Sequence, residues 1–413
     1  MKIAVVGAGL AGLVCAKVLT ERGREVIVFE ASDGVGGRVR TDERDGFLLD
    51  RGFQVYFTAY PVAKRHLDHA ALDLKAFDPG AIICRGGERS VLSDPLRDPS
   101  ALVPSLRSDA ASFSDKLRTL GLVARTAPVG ATAAGELDGA DTSSLEYLRR
   151  FGFSERVIDA FFRPFYGGIF LDRSLATSAR VLRFTFKMLA TGKTVVPARG
   201  MGEIPKQLAA RLPLDAVRAN SPVGSLLRDR DRAVGVETGG EEVEADAVVV
   251  ATDAPTAGRL AGAALPEASV GQVCVYYVAE GISSGKKIVL NAEAGGFVNN
   301  TVEISNVSPL YAPRGQRLLS VVALGGFELP DEEIYRRGVE DVTRWYPGAG
   351  LEPLAIYRVP YAQFSQPPGV HETLPENRTE MPGLVLAGEY TQDSSINGSM
   401  LSGERAAQEA MRA

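Results

Sequence analysis

The first thirty residues of the chain, MKIAVVGAGLAGLVCAKVLTERGREVIVFE (Met1–Glu30), decide its fold class. The short apolar run Ile3–Val6 predicts a buried strand, and the apolar spacing after it predicts a helix over residues 10–22. Gly23 stands where a glycine commonly ends a helix, and Glu25–Phe29 predicts a second strand. A strand–helix–strand unit of about 30 residues is the size that a parallel crossover requires. The opening of the chain therefore predicts an α/β fold.

The turn between the first strand and the helix reads GAGLAG and fits the pattern G-x-G-x-x-G. Gly7 allows a tight turn, Gly9 lets the backbone approach a pyrophosphate, and Gly12 lets helix and strand pack closely. The amino end of the helix offers free N–H groups to phosphates. Glu30 ends the second strand, where a carboxylate accepts hydrogen bonds from ribose hydroxyls and repels a 2′-phosphate. The pattern predicts a dinucleotide site, with NADP disfavoured, formed by Gly7, Ala8, Gly9, Leu10, Ala11, Gly12, Glu30 and Ala31.

Composition narrows the class of protein. The 413 residues suit two domains, and the net charge of −5 argues against a nucleic-acid partner. Cys15, Cys84 and Cys274 are too few and too far apart for a disulfide framework or a metal site, so a cytoplasmic location is expected. No run approaches the roughly 20 uncharged apolar residues of a membrane span, and the glycine-rich start is not a secretion signal. Peripheral membrane contact stays open.

The rest of the chain alternates between two patterns. One predicts a hairpin over 81–92 and helices over 143–151, 154–162 and 178–189. It also predicts an antiparallel sheet of strands 272–278, 288–291, 298–304 and 317–323, followed by a helix over 331–345. The other pattern is typical of an α/β domain. It predicts a helix over 201–211, an edge strand over 216–217, a hairpin over 223–236, strands over 245–252 and 384–387, and a terminal helix. The layout indicates one domain assembled from separated segments and a second domain inserted into it.

The sequence VFEASDGVGGRVRT (Val28–Thr41) places Gly36, Gly37 and Arg38 shortly after Glu30. Two adjacent glycines let a loop pass close to a cofactor, and the arginine supplies a cation near a pyrophosphate. The strand-end Glu-Ala and a Gly-Gly-Arg at this spacing resemble the flavin amine oxidase superfamily, which includes amine oxidases, protoporphyrinogen oxidases and phytoene-desaturase-like enzymes. The resemblance implies FAD, since plain NAD dehydrogenases lack this second block.

Two further blocks extend the resemblance to the whole chain. FLLDRGFQVY (Phe47–Tyr56) is similar to the block that lies under the isoalloxazine ring, and LAGEYTQDSSINGSMLSGERAA (Leu386–Ala407) to the C-terminal block. The family's final helix, expected here from about Asn397, aims its amino end at the flavin pyrimidine, where its dipole stabilises the charge of the reduced ring. The cofactor-binding residues that the resemblance adds are Gly36, Gly37, Arg38, Gly52, Phe53, Val217, Ala251, Thr252, Gly388, Glu389, Ser399 and Met400.

The same resemblance implies an α/β fold with a Rossmann-type FAD-binding domain, residues 1–75, 195–265 and 355–413, and an inserted α+β substrate-binding domain, residues 76–194 and 266–354. It also implies non-covalent FAD, because monoamine oxidases attach the flavin through a late cysteine and no cysteine follows Cys274.

On the substrate side, two positions depart from an amine oxidase. Gln272 stands where those enzymes carry a lysine, and Ser395 replaces one of two aromatic rings that cage a small amine. The other ring falls near Tyr361. The stretch FFRPFYGGIF (Phe161–Phe170), with Phe165 and Tyr166, is typical either of an apolar substrate channel or of core packing.

The resemblance therefore implies an FAD-dependent oxidoreductase that takes a hydride from a C–H bond of a small, apolar or amphipathic organic substrate. The desaturase and porphyrinogen-oxidase branch is favoured. Alternatives are an amine oxidase acting on a C–N bond and a non-catalytic partner-binding protein of the Rab-escort type. The electron acceptor and the catalytic residues are left unassigned. No metal is expected, because His66 and His69 lack a third ligand, and Gly192–Thr194 lacks the first glycine of a P-loop.

Overall fold

The structure is a computed structural model and describes residues 1–93, 110–293 and 295–413. Its strands are β1 Lys2–Val6, β2 Glu25–Phe29, β3 Thr41–Arg44, β4 Phe47–Asp50, β5 Tyr56–Phe57, β6 Leu74–Ala76, β7 Ala81–Arg85, β8 Glu88–Leu92, β9 Thr194–Pro197, β10 Val217–Arg218, β11 Val223–Asp229, β12 Arg232–Thr238, β13 Glu241–Glu244, β14 Ala247–Val250, β15 Ser269–Glu280, β16 Ile288–Asn291, β17 Val298–Glu303, β18 Leu318–Ala323, β19 Gly350–Phe364 and β20 Leu384–Leu386.

Its α-helices are α1 Leu10–Glu21, α2 Ala63–His66, α3 Phe113–Thr126, α4 Ser144–Phe151, α5 Glu155–Val157, α6 Arg163–Phe170, α7 Ala179–Thr191, α8 Glu203–Ala209, α9 Ala254–Ala261, α10 Ile304–Val307, α11 Asp331–Trp345 and α12 Ile396–Ala410. A π-helical turn, Ile158–Phe162, joins α5 to α6.

A five-stranded parallel sheet carries the first half of the site. Its order is β10-β2-β1-β14-β20, so its strands come from three separated stretches of the chain. Strands β14 and β20 are buried at every position, as expected for a sheet covered on both faces. Val6 pairs with Val250 at the carboxyl ends of β1 and β14, where the residues after these strands meet at one edge.

The last helix packs against the first. Gly403 makes this contact close, because a β-carbon there would overlap the carbonyl oxygen of Ala11 in α1. The amino end of α12 is thereby held near the glycine turn that precedes α1, although the two helices stand at opposite ends of the chain.

A seven-stranded sheet carries the second half, in the order β19-β15-β18-β17-β16-β7-β8. The four strands expected to form an antiparallel sheet, β15 to β18, do pair antiparallel. The hairpin expected over residues 81–92 is also present and joins the same sheet, with β7 parallel to β16 and Ala81 opposite Ile288. A long stretch of chain separates these two strands, so no tight turn fixes their relative direction.

Three small sheets complete the described strands: β11-β12-β13, β3-β4 and β5-β9-β6. The hairpin expected over residues 223–236 is confirmed, with its turn at Arg230 in the left-handed region. Lys193 lies between the end of α7 and the start of β9, a helix-to-strand order that is the reverse of a P-loop.

Candidate cofactor and substrate site

One continuous cavity of about 1490 Å³ runs from the glycine turn after β1 to the aromatic stretch of α6. The carboxyl edge of the parallel sheet forms one end, and the seven-stranded sheet and helices α3, α6 and α7 contribute to the other. The cavity is large enough for a dinucleotide and a second molecule beside it, since drug-sized ligand pockets measure about 300–1,000 Å³.

The glycine turn is shaped by backbone contacts. Gly7 has φ +105°, and a β-carbon on it would lie 2.8 Å from the carbonyl oxygen of Ala251. A β-carbon on Gly12 would overlap the carbonyl oxygen of Gly7. A β-carbon on Gly9 would meet nothing within 4 Å, so this position borders open cavity at the amino end of α1. These features fit a pyrophosphate laid against the turn.

Glu30 is buried in the cavity wall and already holds the loop together. Its Oε2 accepts a hydrogen bond from the backbone N–H of Ala8 at 2.8 Å. Its Oε1 accepts from the backbone N–H and the hydroxyl of Ser32 at 2.9 and 2.7 Å. A carboxylate has about four acceptor positions, so capacity for a ribose hydroxyl remains. The expectation that both ribose hydroxyls bind here did not include these internal bonds.

Arg38 connects the two ends of the chain. Its Nη1 donates to Oε1 of Glu389 at 2.5 Å and to the carbonyl oxygen of Ala362 at 2.6 Å. Ser394 donates to the other carboxylate oxygen of Glu389. The guanidinium lies 5.5 Å from the centre of the Tyr361 ring, whose hydroxyl is buried without a hydrogen-bond partner among the described residues. The Gly-Gly-Arg block and the C-terminal block are thus one ion-paired unit.

Gln272, on β15, faces the segment that follows β4. Its Nε2 donates to the carbonyl oxygen of Phe53 at 3.3 Å, and a β-carbon on Gly52 would lie 3.1 Å from that nitrogen. The amide therefore borders the cavity directly beside the block that resembles the family's isoalloxazine-binding segment.

Asp50, within that segment, is buried and accepts three hydrogen bonds. They come from the hydroxyls of Thr41 and Tyr311, at 2.5 and 2.7 Å, and from the backbone N–H of Met201 at 2.9 Å. Burial raises the pKa of Asp50 to about 6, against the lowering effect of these donors. The hydroxyl of Tyr276 donates to its carbonyl oxygen at 2.9 Å. Asp50 thereby ties the cofactor-side segment to the seven-stranded sheet.

Ser395 caps α12: its hydroxyl accepts from the backbone N–H of Gly398 at 2.8 Å and donates to Asp393 at 2.5 Å. It lies in the cavity wall, but its oxygen is already used by the helix. The sequence indicated a replaced aromatic ring and gave no sign of this cap.

The structure brings most of the predicted site residues to one cavity. Those in its wall are Gly7, Gly9, Leu10, Ala11, Glu30, Ala31, Gly36, Gly37, Arg38, Phe53, Ala251, Thr252, Gly388, Glu389, Ser399, Gln272, Ser395, Phe165 and Tyr166. Six others do not belong to that wall: Ala8, Gly12, Gly52, Val217, Met400 and Tyr361.

The structure gives a separate reason for three of these residues. Gly12 packs against the Gly7 carbonyl, and Met400 is fully buried in the core. Val217 lies on the edge strand β10, whereas Pro222 and Val223, a few residues later, do line the cavity. Pro222 and Val223 are therefore the residues near this edge strand that border the cavity.

The far half of the cavity is aromatic. The rings of Phe161 and Phe165 stack at 4.9 Å, and Phe162 stacks on Tyr166 at 5.7 Å. This stretch both lines the cavity and packs in the core. Wall residues that sequence reasoning missed are Phe57, Tyr60, Phe113, Leu117, Leu120, Phe184, Phe186, Thr256 and Arg259. They come from separate elements and carry no shared sequence signal.

His66 and His69 bind different partners. Nε2 of His66 lies 2.7 Å from Oε1 of Glu404, and Nε2 of His69 lies 2.8 Å from the hydroxyl of Tyr56. The side chain of His66 is 5% exposed, so this residue does not lie on a solvated face. Among the described residues, no group of three or more His, Cys, Asp or Glu side chains has the arrangement of a metal site.

In the described ranges, every helix is too short or too polar to cross a membrane.

Comparison with known proteins decides the family. Residues 10–411 match the family described as flavin containing amine oxidoreductase. The chain belongs to this family. As a flavin amine oxidoreductase it is an FAD-dependent oxidoreductase, and the non-catalytic alternative is set aside.

The flavin amine oxidoreductase is similar to proteins of several activities. It is 24% identical to 15-cis-phytoene desaturase of Synechococcus elongatus, with 99% of this chain and 95% of the relative covered. It is 31% identical to protoporphyrinogen oxidase 2 of Arabidopsis thaliana over 171 residues, which cover 40% of this chain and 32% of the relative. Its fold matches wild-type putrescine oxidase bound to putrescine, with a TM-score of 0.71, 20% identity and full coverage of both chains.

Proposed function

We propose that the flavin amine oxidoreductase takes a hydride from a C–H bond of a small organic substrate that is apolar or amphipathic, as a desaturase or a porphyrinogen oxidase does. The observation that carries the proposal is the continuity of the cavity. The space beside the glycine turn opens into a region lined by aromatic rings, including Phe161, Phe165 and Phe184. Burial of apolar area is the main binding energy such a wall offers, at about 25 cal/mol per Å².

The cofactor half fits non-covalent FAD. The glycine turn and the amino end of α1 would hold the pyrophosphate, Glu30 a ribose, and Pro222 and Val223 the adenine side. The three cysteines are buried, and none is in the cavity wall of the described chain, which supports a flavin held without a covalent bond. When bound, FAD supplies the hydride acceptor.

The protein residues then supply binding, orientation and exclusion of water. Arg38 and Glu389 fix the C-terminal block against the Gly-Gly-Arg loop through their ion pair. Gln272 offers a neutral amide beside Phe53, where an amine oxidase would have a charged lysine. Ser395 has no aromatic ring and so provides no aromatic wall for an amine. Its hydroxyl caps α12 instead.

The test is anaerobic mixing of the oxidised protein with benzylamine, a polyamine, a porphyrinogen and a carotene precursor, followed by flavin absorbance. We expect bleaching by the porphyrinogen or the polyene. Slow or absent bleaching is expected with both amines, because an attraction of about 0.5–2 kcal/mol from an aromatic cage is missing. Fast bleaching by an amine alone would instead favour the C–N branch.

The domain division stays a proposal, with residues 1–75, 195–265 and 355–413 around the cofactor and residues 76–194 and 266–354 around the substrate. It needs one correction: β19 pairs with β15 as far as Phe364, so residues 355–364 belong with the seven-stranded sheet. A cytoplasmic location is proposed with it, since the three cysteines are free.

We also propose peripheral contact with a membrane at helix α3. Phe113, Leu117 and Leu120 of this helix line the cavity and are 71%, 53% and 53% exposed. A helix face of this kind suits the interface of a bilayer that supplies an apolar substrate. The wild type should sediment with phospholipid vesicles, and a Phe113→Ser, Leu117→Ser variant should no longer do so. Equal binding by the variant would contradict the proposal.

A further inference from the structure

A buried acid lies in the cavity wall just before the last helix. Asp393 is 2% exposed. Its Oδ1 accepts a hydrogen bond from the Ser395 hydroxyl at 2.5 Å, and its Oδ2 accepts from the backbone N–H of Ala134 at 3.2 Å. The other buried carboxyls of the wall are already occupied, Glu389 by Arg38 and Glu30 by the donors of its loop. Asp393 differs from Glu389 in having no arginine or lysine partner among the described residues, and from Glu30 in accepting two of these hydrogen bonds where Glu30 accepts three.

A histidine lies behind this acid. Both ring nitrogens of His371 are buried and have no hydrogen-bond partner in the described part of the chain. The ring packs on Gly135, where a β-carbon would lie 3.2 Å from its Cδ2. Because Ala134 donates to Asp393 and the next residue contacts His371, one short turn (134–136) lies against both side chains.

The two groups influence each other's protonation. Burial raises the pKa of Asp393, and burial lowers the pKa of His371. The two pKa values thus move toward each other, which is the condition for passing a proton between them. The charge of Asp393 opposes the fall of the His371 pKa. The other titratable or charged groups that face the pair are Asp141, Arg180, Glu372, Glu136 and Tyr60.

Most of these neighbours are already engaged. Arg180 forms an ion pair with Glu372 at 2.8 Å, and Glu136 with Arg405 at 3.3 Å. Asp141 accepts hydrogen bonds from Ser178 and Gly369. Among the described residues of this group, Asp393 and His371 therefore keep free hydrogen-bonding positions. Asp393 lies in the cavity wall, and His371 lies on a half-buried turn behind it.

We propose that Asp393 accepts the proton released when a substrate C–H bond is oxidised in the cavity, and that His371 passes it toward solvent. This step rests on the proposed function. In a dehydrogenation, one hydrogen leaves carbon with both bonding electrons as a hydride, which reduces the bound FAD. The neighbouring C–H bond breaks toward carbon, its electron pair forms the new C=C bond, and its proton goes to the Asp393 carboxylate. Because the ring nitrogens of His371 have no direct hydrogen-bond partner among the described residues, a water between the two side chains would carry that proton to His371, which then releases it to solvent.

The pairing can be tested without a substrate. The chain has three histidines, so the His371 ring can be followed by NMR in the FAD-bound protein labelled with ¹⁵N-histidine. Removal of the carboxylate in Asp393→Asn should lower the pKa of His371 further, by about half a unit or more. The control is Glu376→Gln, which removes an exposed carboxylate from the same segment and should leave the titration unchanged because solvent screens it. An unchanged His371 titration in Asp393→Asn would overturn the pairing.

The proton step is tested by stopped-flow reduction of the flavin with whichever compound of the panel bleaches it. Asp393→Asn should slow reduction tenfold or more, with FAD content unchanged, and should remove an ionisation from its pH profile. His371→Gln should remove the same ionisation and provides the test if Asp393→Asn does not fold. Unaltered pH profiles in both variants would overturn the proton role. Failure of every compound to bleach the wild-type flavin would instead overturn the proposed function, while the NMR shift would still report the pairing.

Discussion

The glycine turn at one end of the cavity is shaped by backbone atoms, whereas the aromatic segment at the other end is shaped by side chains. At the turn, the critical distances run between backbone atoms, such as those of Gly12 and Gly7. At the aromatic end, the wall consists of side chains such as Phe165 and Phe184, which come from separate helices. Backbone contacts demand one residue type at each position, whereas a side-chain wall can repack around substitutions that conserve volume.

This difference explains why the cofactor is easier to infer than the substrate. The turn, Glu30 and the Gly-Gly-Arg loop occupy fewer than forty consecutive residues, so their spacing is visible in the sequence. The aromatic wall is assembled only when distant elements meet, and many apolar sequences would serve. Four experiments test this difference between the two ends of the cavity.

The largest expected effect separates two glycines of the turn. Gly12→Ala should destabilise the protein without FAD by about 3 kcal/mol, at the upper end of typical overpacking costs, because the new methyl overlaps the Gly7 carbonyl. Gly9→Ala should change stability by less than about 0.5 kcal/mol, since its methyl meets no protein atom within 4 Å. Both variants should lose FAD on gel filtration. Urea unfolding of the FAD-free proteins checks the contrast, and equal destabilisation by the two substitutions would contradict it.

The second prediction concerns Asp50, which ties the segment Phe47–Tyr56 to the seven-stranded sheet. Its pKa in the folded protein, about 6, lies above the ordinary value near 3.9, so folding favours the protonated form. The resulting stability is fully present below about pH 4 and is lost as pH rises through about 6. A shift of about 2 units corresponds to about 3 kcal/mol.

The check on this prediction is the variant Asp50→Asn, compared with the wild type by urea unfolding at several pH values. The stability of the wild type relative to the variant should fall between pH 4 and pH 7. A constant offset across this range, caused by the three donors that lose their carboxylate, would mean that Asp50 stays ionised and that its hydrogen bonds outweigh burial.

The sequence predicted the parallel-sheet region closely and the seven-stranded sheet less well. The element boundaries around the glycine turn agree within one residue because apolar runs, capping glycine and motif coincide there. Strand β19 was missed altogether. It contains Pro353 and Pro360, which normally argue against a strand, but it lies at a sheet edge and its pairing with β15 is irregular near both prolines.

Helix α3 was also missed, and for a different reason. Its capping box, with Ser112 and Asp115, is present in the sequence, but its exposed apolar residues do not form the buried stripe that identifies a helix. The choice of Val217 and Met400 as cofactor residues shows a related limit, because a family-like stretch locates a wall only to within a few residues.

The third prediction tests whether Glu30 serves the cofactor. Glu30→Gln keeps one acceptor oxygen, so its amide N–H₂ must face either the Ala8 N–H or the two donors of Ser32. A hydrogen bond to a charged group contributes about 1.5–3 kcal/mol, so FAD affinity should fall roughly ten- to hundred-fold. Glu25→Gln, an exposed change at the start of the same strand, is the matched control. Flavin fluorescence gives both affinities, and unchanged binding by Glu30→Gln would remove this residue from the site.

The smallest expected effect concerns Tyr361, which the sequence places among the substrate-side candidates. The structure puts its ring beside Arg38 and outside the cavity wall, with a hydroxyl that has no partner among the described residues. Tyr361→Phe keeps the ring and the contact with the guanidinium. Removal of an unpaired buried hydroxyl costs little, so stability should change by less than about 0.5 kcal/mol.

FAD affinity and the rate of flavin reduction in Tyr361→Phe should also stay within about threefold of the wild type, because affinity follows free energy at 1.4 kcal/mol per tenfold change. Thermal unfolding with and without FAD, together with stopped-flow reduction, measures all three quantities. A loss of affinity seen only with FAD bound would show that the cofactor uses this hydroxyl. A tenfold slower reduction at unchanged affinity would return Tyr361 to the substrate side, and the boundary between the two halves of the cavity would then lie behind Arg38.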